Sequence, residues 1–196
     1  MIEKYVRCSS TKMLSIMAGV FVCLLLAWPG AALAAPKVEV PIISTTCGQS
    51  PGAMMTKMSA MQAKLAPVDS KNDLNASAIA GKGYKTLIVT TGTSMKGMGA
   101  AGTNVDKEIE RCIKLIEAAK AEGITVIGAH IEGMARRSDA SDEATIKAIM
   151  PLSDFILIIE ESDKDGFFTN YAKEIGKELV VAKDALSVGA KLAEMQ

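Results

Sequence analysis

Along this chain, short apolar runs alternate with stretches of helical periodicity. Residues 37–45 (KVEVPIIST), 84–91 (YKTLIVTT), 124–131 (ITVIGAHI), 154–161 (DFILIIEE) and 179–182 (LVVA) read as strands. Their apolar positions run on continuously instead of alternating, the pattern of strands buried on both faces. Helical patterns fill 50–66, 104–123, 142–150, 167–178 and 184–195. Residues 66–83 are polar and irregular, with room for a short strand near Val68. Thr103 is placed to cap the second helix, and Gly123 to stop it. Strands that alternate with helices predict right-handed crossovers and a parallel sheet. The expected fold is α/β: a three-layer sandwich with a mainly parallel sheet of about five strands, Rossmann-like or flavodoxin-like.

The first 34 residues break this rhythm. Lys4, Arg7 and Lys12 precede an uncharged apolar run, and PGAALA ends with Ala32 and Ala34 at A-x-A spacing. That is the layout of a secretory signal peptide, with cleavage expected near Ala34. A retained anchor is the alternative. No twin arginine precedes the run. Cleavage would leave one α/β domain, residues 35–196, exported to the periplasm or the exterior. Losing Lys4, Arg7, Lys12 and Glu3 leaves 19 basic against 21 acidic residues, a net charge of −2. Nothing in that balance points to nucleic acid, and no membrane association is expected once the leader is gone.

In a parallel α/β sheet, ligands gather beyond the carboxyl ends of the strands. Four loops should meet there. In the first, TTCGQSPG, Cys47, Gln49 and Ser50 stand between a strand end and a helix opened by Pro51. A helix N-terminus would favour the Cys47 thiolate, whereas burial would make it a small packing residue. Cys112 follows Ile109 and precedes Ile113 and Ile116 at inward-facing spacing, so two separate thiols are expected.

The second loop spells G-x-G-x-x-G at Gly97, Gly99 and Gly102. It lies too far past the strand for a dinucleotide turn, and the acid that should end the next strand about twenty positions on is missing, Glu132 coming too late, so no cofactor is expected. It reads either as a flexible surface loop or as a broad loop whose N–H groups face an anion. In the second case Ser94 and Lys96 would assist. The third loop carries His130, the only histidine, then Arg136, Arg137 and Asp139. One arginine would take an anion while the other pairs with Asp139 or Asp142, or both would lie in local ion pairs. The fourth holds Glu160, Glu161, Asp163 and Asp165, without EF-hand spacing, and Asp165 reads as a helix cap. No zinc signature is present, and no metal is expected.

Four segments, PIISTTCGQSPGA, KTLIVTTGTSMKGMGAAG, AHIEGMARRSDASD and EESDKDGFFT, together resemble a family of exported bacterial α/β proteins that is a domain of unknown function. The resemblance spans about Pro41 to Ala172. It implies the fold and export, and it implies no reaction.

The first functional expectation is a module binding a small anionic or polar ligand through Gln49, Ser50, Ser94, Lys96, Gly97, Gly99, His130, Arg136 and Arg137. A second is a hydrolase or transferase with Cys47 as nucleophile, His130 as base and Asp139 or Asp142 orienting the ring. A third is a non-catalytic accessory protein, for which the methionines at 54, 55, 58 and 61 are the feature to watch. Such a stripe is ordinarily core packing.

Overall fold

The computed structural model describes residues 37–196, so the expected leader lies outside the described residues. Six strands form one sheet: β1 (Ile42–Cys47), β2 (Val68–Ser70), β3 (Thr86–Thr91), β4 (Thr125–His130), β5 (Phe155–Ile159) and β6 (Glu178–Ala182). Every neighbouring pair is parallel, in the order β2-β1-β3-β4-β5-β6. This is the flavodoxin-like order with a strand added at one edge. The expected parallel α/β sandwich is present, with six strands.

The helices are α1 (Gly52–Gln62), α2 (Met95–Ala101), α3 (Val105–Ala121), α4 (Ala140–Ile149), α5 (Phe167–Glu174) and α6 (Val188–Ala193). The two faces of the sheet are covered by different sets. Ala60 of α1 and Val188 and Leu192 of α6 pack on Ile42, Ile88, Ile127 and Leu157. On the opposite face, Cys112, Leu115, Ile116 and Ala119 of α3 pack on Ile43, Leu87, Val89 and Val126. Ile146 of α4 and Phe168 of α5 continue that layer over Ile156 and Ile158. Double coverage is why the central strands read as unbroken apolar runs, while the edge strands β2 and β6 are partly exposed.

Several local expectations need correction. The first strand starts after Pro41 and runs on to Cys47, because proline offers no N–H to a ladder. Asn104, not Thr103, caps α3, its side chain accepting the Lys107 N–H at 3.0 Å. Gly123 ends that helix at a φ of 69°, as expected. The glycine-rich segment is no loop. It is the helix α2, in which the Ser94 hydroxyl accepts the Gly97 N–H at 3.1 Å and Gly102 closes in the left-handed region.

Candidate functional site

Because α1 follows β1 on one face and α3 follows β3 on the other, the chain diverges at the β1–β3 boundary. There a crevice is expected. In this protein the two loops close on one another. The Ser94 N–H donates to the Gly48 carbonyl at 2.8 Å, and Gln49 bridges Thr93. The loop is then pinned from below by an ion pair, buried at Glu108 and half-buried at Arg111, that sequence reasoning missed. Glu108 Oε2 accepts from the Gly48 N–H at 3.3 Å, from Gln49 Nε2 at 3.0 Å and from Arg111 at 2.7 Å. Arg111 also donates to the carbonyls of Thr46 and Leu74. One signal was available, since Glu108 sits one turn before Cys112 on the inward stripe of α3.

The expected ligand-binding set is therefore largely engaged within the fold. Gln49 holds the loop at a φ of 58°, and its carbonyl would lie 2.4 Å from a Cβ at Gly97. The Ser50 hydroxyl bonds Thr46 Oγ1 at 2.9 Å. Ser94 caps α2, so the Gly97 N–H does not face outward. Lys96 and Gly99 are exposed on α2, and Lys96 makes no ion pair among the described residues.

Cys47 and His130 do not form a nucleophile–base pair. Both are fully buried, and Thr91 stands between them: it is in register with Cys47 across β1–β3, and its hydroxyl lies 3.1 Å from His130 Nδ1. His130 Nε2 lies 3.2 Å from the Gly133 carbonyl, which can only accept. The proton therefore sits on Nε2, and the single Thr91 hydroxyl proton is shared between Nδ1 and the Ala129 carbonyl, each 3.1 Å away. The ring packs 5.0 Å from Phe168, and burial holds its pKa down at about 4. It is a neutral structural imidazole. The Cys112 thiol beside Cys47, together with burial, raises the Cys47 pKa well above the ordinary thiol range, so no thiolate forms. Cys47 and Cys112 are both free thiols, as expected, and they are neighbours under the end of β1, where Cys112 Sγ reaches the Thr46 carbonyl at 3.8 Å.

Asp139 does not orient His130. It caps α4, accepting the N–H groups of Ser141 and Asp142 at 2.8 and 3.0 Å. Asp142 is buried and holds the β3 loop, taking the Thr93 N–H and hydroxyl, both at 2.7 Å. The two arginines diverge, but neither pairs with Asp139 or Asp142. Arg137 forks onto Asp165, lowering its pKa, and lies 4.5 Å over the Phe167 ring. Asp165 also accepts the Phe167 N–H as expected of a cap, while Asp163 takes those of Phe168 and Thr169. An open recess of about 410 Å³ beside Arg137 is lined by Ser138, Asp139, Glu143 and Phe167. Arg136 turns back over Gly92, donating to Glu132 Oε2 at 3.1 Å and to the Thr93 carbonyl at 2.5 Å.

That ion pair leads to one of two buried side-chain atoms left without a partner among the described residues, the other being Arg111 Nε. The Glu132 side chain is only 7% exposed, and its Oε1 is buried with no hydrogen bond among the described residues. It faces the start of α1: a Cβ built on Gly52 would stand 2.9 Å from Oε1 and 2.7 Å from Thr90 Oγ1. Helix α1 has Pro51 before it, no side-chain cap and no acid in its first turn. Its first N–H groups have no partner within the helix. A buried carboxylate oxygen and the positive end of a helix thus meet at the carboxyl edge of β1, β3 and β4, with the Arg136 guanidinium at the rim. Together they bring a hydrogen-bond acceptor and a set of N–H donors to one edge of the sheet.

Fold and edge together define a doubly wound α/β protein with a polar site beside its topological switch point. The chain belongs to the family described as Domain of unknown function (DUF6305), whose model matches residues 39–196. The search of curated proteins returned no match. Among solved structures, it is similar to a "putative acylhydrolase" from Bacteroides fragilis NCTC 9343, at 9% identity and a TM-score of 0.36 over 75% of this chain and 71% of that one. A likeness of that degree transfers no activity.

Proposed function

We propose that the protein is an exported binding module for a small anionic or polar ligand, seated at the start of α1. The observation that carries this reading is the buried, unpaired Oε1 of Glu132 against the uncapped Gly52 end of α1. Leaving a buried polar atom unpaired costs about 1–3 kcal/mol, so such an atom calls for an explanation. A ligand with an oxygen for the α1 N–H groups and a hydroxyl or ammonium hydrogen for Glu132 meets both needs. Arg136 would bind a negative group on the same molecule. Hydroxy acids and acidic sugars have this combination. On this reading Gln49, Ser50, Ser94 and Gly97 shape the rim, and Cys47 and His130 support it from beneath.

Isothermal titration against hydroxy acids, acidic sugars, phosphates and nucleotides tests the proposal. At least one class should bind, and Glu132→Gln should weaken that binding by tenfold or more with the fold intact. Folded protein that binds none of them, or binding indifferent to Glu132→Gln, overturns it.

A further inference from the structure

The outer face of α1 is built differently from its inner face. Inward lie small residues, Gly52, Ala53, Thr56, Ser59 and Ala60, which let the helix settle closely on the sheet and on α6. A Cβ on Gly189 of α6 would stand 2.0 Å from the Ser59 carbonyl oxygen. The bulk is on the outside: Met54, Met58 and Met61 are 51%, 65% and 58% exposed. The expectation that this stripe packs in the core fails for these three residues. Met55 alone packs against the core, and only partly buried.

Positions i, i+4 and i+7 fall at about 0°, 40° and −20° around a helix axis, so the three side chains form one row. Long apolar side chains left in water forgo the stabilisation that burial would bring. What three methionines supply there is a set of soft, polarizable thioether sulfurs on unbranched side chains. Met54 and Met61 are separated by about 10.5 Å along the axis, with Met58 between them, and their rotatable stems can converge on the middle position.

We propose that Met54, Met58 and Met61 form a thioether site for a soft monovalent cation, Cu(I). Thioethers select Cu(I) over hard cations, which require oxygen ligands, and over zinc, which takes thiolate and imidazole. No carboxylate belongs to the row, and the only histidine is buried on the opposite face of the sheet, against Phe168. Neutral donors leave the ion's charge uncompensated, which an exposed site tolerates best for a single positive charge. Lys57, the nearest cation in sequence, is drawn to Asp69 at 2.8 Å. The Ser70 hydroxyl lies 3.9 Å from Met54 Sδ, which keeps a second lone pair for a metal.

The site is tested on the full-length protein with carbon-13 methionine methyl groups, titrated with Ag(I) as a redox-inert probe. Thiols also bind Ag(I), so the readout is the methyl resonances and not total uptake. The methyls of Met54, Met58 and Met61 should shift together and saturate with one ion, while buried Met98 and Met150 stay in place. In Met58→Leu, which keeps the apolar surface and removes the central sulfur, the shifts of Met54 and Met61 should be lost. The site is overturned if none of the three methyls moves, or if Met54 and Met61 respond alike with and without Met58. Binding of an apolar partner that survives Met58→Leu, without any methyl response to Ag(I), would mark the face as a docking surface and equally overturn it.

Discussion

Glu132 overhangs Gly52 so closely that a methyl group on that residue would meet Oε1 at 2.9 Å and the Thr90 side chain at 2.7 Å. The start of α1, the end of β3 and the turn after β4 are thereby joined at one point, with no space between them for a side chain at position 52.

Gly52→Ala tests that closeness. The Glu132 carboxylate can swing away, but the Thr90 side chain is short, buried and bonded to the Thr45 carbonyl. Overpacking of this kind costs about 1–3 kcal/mol. Urea denaturation should show a lower midpoint with an unchanged slope, and an unaffected midpoint would mean that α1 stands further from Thr90.

Glu108 and Arg111 form the brace beneath the Cys47–Ser50 loop. Removing one partner of a buried ion pair costs about 3–5 kcal/mol, because the other is left uncompensated. Glu108→Leu strands Arg111 and frees both Gly48 N–H and Gln49. Chemical denaturation should show a loss in that range, and hydrogen exchange at Gly48 should accelerate. A loss no larger than that of an exposed pair such as Lys114–Glu110 would contradict the brace.

His130 makes stability depend on pH in a definite direction. Its pKa is about 4 in the folded protein, against 6.5 ordinarily. As pH falls below 6.5 the unfolded chain takes up a proton that the native ring refuses, so stability is present above 6.5 and lost as pH falls towards 4. The full effect is about 3 kcal/mol. Unfolding measured at pH 7, 5.5 and 4.5 should show wild type losing more stability than His130→Gln across this window. Equal losses would show that the ring titrates normally.

Cys47 and Cys112 should be inert in the native state. Iodoacetamide labelling mapped by mass spectrometry should find both unmodified near neutral pH and modified once the chain is unfolded in urea. A native Cys47 that reacts at pH 7 would revive a nucleophilic role.

The alternation of apolar strands and helices determined the layered fold by itself, because burial on both faces and burial on one stripe leave different periods in the sequence. It also placed the loops at the carboxyl edge, since strand direction follows from the crossovers. The partners of polar groups in those loops were not legible. His130, Asp139 and Arg137 have the composition of a site, yet they are engaged by Gly133, the α4 N-terminus and Asp165, none of which periodicity predicts. Cys47 and Cys112 lie 65 positions apart and meet only because α3 crosses beneath β1. Glu132 reads as one more charged loop residue until the fold buries it and leaves one oxygen unpaired. Only tertiary packing decides which polar atoms are satisfied, because a hydrogen bond depends on positions in space that a one-dimensional pattern does not contain.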